Sequence, residues 1–398
     1  MFFEKIAAAP ADPILGLTEE FKNDPRADKI NLGVGIFKNN QGQTPILKCV
    51  KKAEELILAS EKTKSYLPIV GAPEYGKLVR ELVLGRDSEI IKDDRARTAQ
   101  APGGTGALRV GADFLKQQNV TAKIWISDPT WANHMQVFGK AGLEIGRYAY
   151  YDKASQGLDF EGMKNDLRIK AKAGDAVLFH ACCHNPTGID PTPAQWEELA
   201  QLTAELGLLP FFDFAYQGFG NGIEEDALGI RTFLKHHKEI LVASSFSKNF
   251  GLYNERIGAI TIVSANKDDA DRVFSQLKIA VRANFSNPPV HGASIVTTVL
   301  SDPELRAMWE NEVKEMRDRI KEMRSLLVEK LKERNAKVDF SFINNQYGMF
   351  SFSGLSKEQV ARLKTEFGIY IVGSGRISVA GITTANIDPL CDAIVKVL

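Results

Sequence analysis

The chain has 398 residues, 44% of them hydrophobic and 25% charged, which predicts a folded protein with ample core material rather than a disordered one. Lys plus Arg number 50 and Asp plus Glu number 50, so no net field draws the molecule to nucleic acid or to an anionic membrane. No apolar run reaches the roughly 20 residues of a bilayer span, and Met1-Phe2-Phe3-Glu4-Lys5 lacks the basic-then-apolar order of a secretion signal. Cys49, Cys182, Cys183 and Cys391 are too few for a disulfide framework. A cytoplasmic enzyme of two or three compact units is the expectation.

Along the chain, short apolar strands alternate with amphipathic helices, with no internal repeat or flexible linker. A glycine run, Gly103-Gly104-Thr105-Gly106, opens a helix that carries Leu108, Ala112 and Leu115 on one face. Strands are predicted at 124–126, 176–179, 208–212, 240–243 and 258–262, with a helix over 194–206. This order implies an α/β domain on a largely parallel sheet. From Pro303 to Asn335, apolar residues recur at steps of three or four, including Met308, Val313, Met316, Ile320, Met323, Leu327 and Leu331: a long amphipathic helix. Shorter strands at 348–352 and 376–380 follow, in a smaller α+β domain expected to be completed by the N-terminal arm. The expected boundaries are 47–312 for the large domain, and 1–46 with 313–398 for the discontinuous small one.

Several segments carry chemistry in combination. Glycines at a helix start let backbone N–H groups approach an anion that the helix dipole favours, so Gly103, Gly104 and Thr105 form a candidate phosphate site. An ordinary glycine turn is about as probable for this segment taken by itself. In Ser245-Phe246-Ser247-Lys248, directly after a strand, the serines and Arg256 suit a phosphate, and the lysine suits a carbonyl. A lone lysine there is more often simply solvated. Asp213 ends the apolar run Phe211-Phe212, where a buried carboxylate needs a cationic partner. A helix N-cap accounts for it equally well. His180, Cys182, Cys183 and His184 lack the spacing of a zinc site, and alternation along a strand would separate the adjacent cysteines; no metal is expected. Asn185-Pro186-Thr187-Gly188 reads as a turn leaving a strand, with the Asn185 amide available to a ligand. Arg282 and Arg376 suit carboxylates, and Trp131 suits a flat ring, although a surface arginine and a core tryptophan are common outcomes.

These segments, in this order, resemble the class-I, fold-type-I aminotransferases that depend on pyridoxal phosphate, and among them the bacterial aspartate aminotransferases. The resemblance spans nearly the whole chain, from Ala9-Pro10-Ala11-Asp12-Pro13-Ile14-Leu15-Gly16-Leu17 to Arg376-Ile377-Ser378-Val379-Ala380-Gly381. It is most specific at Ser247-Lys248-Asn249-Phe250-Gly251-Leu252-Tyr253-Asn254-Glu255-Arg256, at His184-Asn185-Pro186-Thr187-Gly188, and at Asp213-Phe214-Ala215-Tyr216-Gln217-Gly218. It implies a seven-stranded, mostly parallel sheet flanked by helices, plus the smaller α+β domain. It also implies transamination of L-aspartate with 2-oxoglutarate by ping-pong half-reactions.

By resemblance, Lys248 is the Schiff-base lysine and proton shuttle. Asp213 partners the pyridine nitrogen, with His134 behind it. Asn185 and Tyr216 bind the ring O3′, and Trp131 stacks on the ring. Gly103, Gly104, Thr105, Ser245 and Arg256 form the phosphate cradle, completed by Tyr66 of a second subunit. Arg376, helped by Asn185, Trp131 and Gly35, clamps the α-carboxylate. Arg282 reaches across a homodimer to the distal carboxylate.

Lys38, Thr44, Thr105 and Asn287 look aspartate-type, whereas Ser65 and Gly103 depart from the family pattern. An enzyme of broad aromatic specificity is the alternative. A decarboxylase or lyase on the same lysine would not need two arginines spaced for a dicarboxylate. A non-catalytic binding module would not need Lys248, Asp213 and Tyr216 together.

Overall fold

Uninterrupted apolar strands need cover on both faces, and the chain supplies it. The computed structural model describes residues 1–9, 14–119 and 123–398, so positions 10–13 of the N-terminal motif lie outside the described residues. The chain divides into two compact units: 45–319 with 346–348, and 1–44 with 320–345 and 349–398.

The larger unit is built on seven strands: β1 (Ala96–Pro102), β2 (Lys123–Asp128), β3 (Glu144–Ala149), β4 (Ala176–His180), β5 (Leu209–Phe214), β6 (Ile240–Ser245) and β7 (Ile257–Val263). Their order across the sheet is β1-β7-β6-β5-β4-β2-β3. β2, β3, β4, β5 and β6 pair in parallel, and only β7 runs against its neighbours. Every residue of β4, β6 and β7 is buried. The sequence did not single out β1 and β3; β1 carries polar Arg97, Thr98 and Gln100, and β3 leaves Glu144 and Arg147 exposed.

Helix α1 (Gly103–Gln118) follows β1 without a loop, and α2 (Asn133–Lys140) follows β2. Leu108 and Phe114 of α1 and Phe138 of α2 share a core with Ile124, Leu178, Phe211 and Ile260. Alternate strand residues serve another aromatic cluster. There, Phe179 and Phe212 stand 5.7 Å apart, and Phe233 meets Phe212 edge-on at 5.1 Å. α3 (Pro193–Glu205) starts at a capping box, in which Thr192 and Gln195 satisfy each other's backbone N–H groups.

The long helix α4 (Pro303–Glu333) buries Trp309, Val313, Met316, Ile320, Met323, Leu327 and Leu331, while Met308 is only half-buried. The division between the units falls within this helix.

In the smaller unit, Ile30–Asn31 pairs in parallel with Ile369–Tyr370, and β8 (Phe350–Phe352) pairs antiparallel with β9 (Arg376–Ser378). The strand predicted to run to Ala380 stops at Ser378, because Val379–Gly381 tightens into a 3₁₀ turn. Among the described residues, no helix is long and apolar enough to cross a membrane.

Candidate active site

The carboxyl ends of β1, β2, β4, β5 and β6 and the start of the reversed β7 place the candidate residues at one edge of the sheet, where open α/β sheets collect ligands. Gly103 follows β1, Trp131 and His134 follow β2, and Asn185 follows β4. Asp213 lies in β5, Lys248 follows β6, and Arg256 precedes β7. Register aligns Asp213 with His180 on one side and with Ala243 on the other.

Asp213 is therefore a buried strand residue, and the N-cap alternative is excluded. Its partner is His134, whose Nε2 lies 3.0 Å from Asp213 Oδ2. Thr130 Oγ1 lies 2.8 Å from His134 Nδ1. With Asp213 ionised and the ring neutral, Nε2–H donates to the carboxylate and Nδ1 accepts the Thr130 hydroxyl. Burial pushes the Asp213 carboxyl up, but the His134 hydrogen bond, with the electrostatic pull of His134, His180 and Lys248 behind it, outweighs burial and holds the group below the ordinary aspartate value. An ionised, desolvated carboxylate is thus ready for one cation. Thr130 escaped sequence reading, although its spacing of four from His134 puts it within reach of the ring.

A second histidine chain supports the loop after β4. His184 Nδ1 lies 2.8 Å from Thr187 Oγ1, its Nε2 lies 2.9 Å from Ser127 Oγ, and its ring stacks on Tyr150 at 3.8 Å. Asp190 accepts the His184 N–H at 2.8 Å and the Cys183 N–H at 2.6 Å. Asn185 is buried within this braced turn. β4 ends at His180, so strand alternation does not separate Cys182 from Cys183 as the sequence suggested. Cys183 has φ +52°, and the two Sγ atoms lie within 4.8 Å of each other.

The anion cradle is preformed. Gly103 has φ +74°, and a Cβ there would come within 2.5 Å of Arg256 Nη2. Glycine alone therefore allows the first turn of α1 to lie against this guanidinium. A Cβ on Gly104 would stand 3.1 Å from Ser245 Cβ. Arg256 Nη1 donates to Ser247 Oγ at 3.3 Å and to Tyr253 O at 3.1 Å, and Ser247 N–H donates to Ser245 Oγ at 3.3 Å. A helix N-terminus, two hydroxyls and a guanidinium converge as a phosphate requires.

Lys248 Nζ stands 5.0 Å over the Tyr216 ring. Its neighbours are tied down: Asn249 Nδ2 donates to Gln217 O at 3.2 Å, Trp309 Nε1 donates to Asn249 O at 2.8 Å, and Phe250 stacks on Trp309 at 4.7 Å. Trp131 meets His134 edge-on at 5.2 Å.

Tyr66 is 91% exposed. Arg282, in the last turn of α-helix Lys267–Phe285, is exposed and donates to Ser286 Oγ. In the smaller unit, buried Arg376 donates from Nη2 to Gly33 O at 2.6 Å, and its guanidinium lies 4.0 Å over Phe350. A Cβ on Gly35 would meet the same Phe350 ring at 2.4 Å, so Gly35 and Arg376 share one aromatic support. Phe350 carried no signal in the sequence beyond its place in a short strand.

The family model for aminotransferases of class I and II matches residues 27–394, and the chain belongs to that family. It is 60% identical over 396 residues to the aspartate aminotransferase of Escherichia coli strain K12, covering all of both chains. It is 59% identical over 396 residues to the Salmonella typhi aspartate aminotransferase, again over both full lengths. A crystal structure of the aromatic-amino-acid aminotransferase from Burkholderia pseudomallei, covalently bound to pyridoxal phosphate, superposes with a TM-score of 0.97. It shares 50% identity, and all of both chains is covered. The protein is an aminotransferase with the fold of this family.

Proposed function

We propose that the chain transaminates L-aspartate with 2-oxoglutarate, giving oxaloacetate and L-glutamate, with pyridoxal phosphate as its cofactor. The observation that carries this reading is the joint placement of the Gly103–Arg256 cradle, the buried Asp213–His134 pair and Lys248 over Tyr216. A phosphate, a protonated ring nitrogen and an aldehyde fit these three donor sets in turn. When bound, the cofactor supplies that aldehyde for the amino group and a protonated ring that draws electrons from the substrate Cα.

The chain's own residues do the rest. Gly103, Gly104, Thr105, Ser245 and Arg256 hold the phosphate. Asp213 keeps the ring nitrogen protonated, and the His134–Thr130 chain keeps Asp213 ionised. Asn185 and Tyr216 hydrogen-bond the phenolic oxygen, and Trp131 covers the ring. Lys248 would hold the cofactor's aldehyde, and its amine would move the proton at the substrate Cα. Arg376, with Gly35, Asn185 and Trp131, takes the α-carboxylate, and Arg282 takes the distal one. Substrates are accordingly amino acids and 2-oxo acids, processed in alternating half-reactions.

The assignment of Tyr66 and Arg282 to the partner's site makes the enzyme a homodimer with shared active sites. Exposed apolar residues support this: Ile46 is 59% exposed and Leu58 83%. The four cysteines, all thiols, suit a cytoplasmic setting.

The aspartate preference rests on the relatives at 60% and 59% identity; an aromatic specificity is the reading favoured by the Burkholderia neighbour. A kcat/KM panel of aspartate, glutamate, tyrosine and phenylalanine, with 2-oxoglutarate as acceptor, decides between them. Aspartate should lead. A larger kcat/KM for tyrosine or phenylalanine overturns the preference.

A further inference from the structure

We propose that Cys182 and Cys183 form a chelating dithiol that captures a mono-organic trivalent arsenical. Their Sγ atoms and a carboxylate oxygen of Asp226 all lie within 4.8 Å of one another, in a buried group at the turn after β4. Cys183 has a left-handed backbone, with φ +52°, and the two sulfurs face one another within that distance.

Donor accounting selects the ligand class. Asp226 Oδ2 accepts N–H bonds from Gly218 at 2.8 Å and Gly220 at 2.9 Å, while Oδ1 accepts Asn221 N–H at 2.8 Å. A carboxylate offers about four acceptor sites, so these backbone bonds leave Asp226 little to give a metal. The two sulfurs that remain are too few for the roughly tetrahedral four-ligand shell of structural zinc. A direct disulfide is strained too. Adjacent Cα atoms stand about 3.8 Å apart, short of the roughly 4.4–6.8 Å that disulfides span. One larger atom inserted between the sulfurs relieves that constraint.

Burial raises the Cys182 thiol well above its ordinary value, so both reactant and product must be neutral. Phenylarsonous acid meets this condition. Two arsenic–oxygen bonds break and two arsenic–sulfur bonds form. The thiol protons leave with the hydroxyls as two waters, and arsenic stays trivalent throughout.

Cys182 is 5% exposed and Cys183 2%, and Asp190 braces their turn, so capture requires local opening against those bonds and is expected to be slow.

The test is native mass spectrometry of the holoenzyme with stoichiometric phenylarsine oxide. One phenylarsenic unit per chain should bind and map to the peptide containing 182–183. A dithiol such as dimercaptopropanol should remove it, and a monothiol should not. Cys183→Ala should weaken retention by about a hundredfold or more, the scale of losing a second intramolecular bond. The double variant Cys49→Ser/Cys391→Ser should retain the adduct. Cofactor absorbance and circular dichroism identify a variant that has not folded, and for such a variant the wild-type peptide map decides. No adduct on native protein, an adduct on Cys49 or Cys391, or undiminished retention in folded Cys183→Ala each overturns the proposal.

Discussion

His134 Nε2 and Asp213 Oδ2 lie 3.0 Å apart, both buried, with Thr130 closing the far side of the imidazole. The pair keeps a charge inside a dry strand end by giving it one strong donor while leaving the other carboxylate oxygen for a ligand. Asp213→Ala should reduce kcat by about two to four orders of magnitude, the range of a lost proton-handling group. It should also cost about 1–3 kcal/mol of stability, because His134 loses its acceptor. Asp213→Glu should lose less activity. Steady-state kinetics with urea unfolding checks both effects; full activity in Asp213→Ala would reduce the residue to a structural one.

Lys248 sits on a segment fixed by Trp309 and Gln217, so removing its side chain leaves the backbone supported. Lys248→Ala should fold, retain the cofactor without a covalent bond through the phosphate cradle, and transaminate at least about a thousandfold more slowly. Denaturing mass spectrometry after borohydride reduction should find the cofactor attached to wild type and not to the variant. Near-normal turnover would refute the lysine assignment.

Part of the candidate site was legible because several of its residues end or follow an apolar run, or open a helix. Lys248 after 240–243, Asp213 after Phe211-Phe212 and Gly103 at a helix start are local patterns, and the sheet only had to align them. Supporting residues were not legible in the same way. Phe350 gains its role by lying under Arg376 and against Gly35, which are far from it in sequence. The cysteine pair was misread because alternation was extended past the last strand residue, His180, into a turn where Cys183 has a positive φ. β1 and β3 were not singled out, since their polar residues break the apolar run that marks a buried strand.

His180 gives a pH dependence of definite sign. Burial pushes its pKa from 6.5 down to about 3, and its Nε2 has no hydrogen-bond partner. In the unfolded chain the ring titrates near 6.5, so below that pH the unfolded state binds a proton that the folded state refuses. Stability from the neutral ring is complete above about pH 6.5 and is lost as pH falls toward 3. Between pH 6.5 and 5 the loss is about 2 kcal/mol, at about 1.4 kcal/mol per pH unit. His180→Phe cannot titrate, so its stability relative to wild type should rise by about that amount over the same interval. Urea unfolding at pH 7 and pH 5 measures the difference; a gap that stays constant would show that His180 takes up a proton in the native state.

Arg282 is exposed and makes only a local bond to Ser286, so changing it should leave the fold intact. Arg282→Asp should lower kcat/KM for aspartate by at least about a hundredfold, the scale of about 2–5 kcal/mol for losing one member of a desolvated charge pair. The loss for phenylalanine should be much smaller, since it has no distal carboxylate. Equal losses for both substrates would remove Arg282 from specificity.

The assembly is tested by complementation. In the proposed homodimer, with Lys248 from one subunit and Arg282 and Tyr66 from its partner, a two-fold axis would make the two sites equivalent. Subunits bearing Lys248→Ala and subunits bearing Arg282→Ala each form homodimers that are dead or nearly dead toward aspartate. In a mixed dimer, one site collects both lesions while the other pairs an intact Lys248 with an intact Arg282. Random reassortment makes about half of the dimers mixed, so about a quarter of all sites are intact. Refolding the two variants together should restore about that fraction of wild-type aspartate activity. Refolding them separately and then mixing should restore little while subunit exchange is slow. If each site were built within one chain, every site in the mixture would carry one lesion whatever its partner. Absence of recovery after exchange has been verified, by native mass spectrometry of differently tagged subunits, would reject the shared site and with it the placement of Arg282.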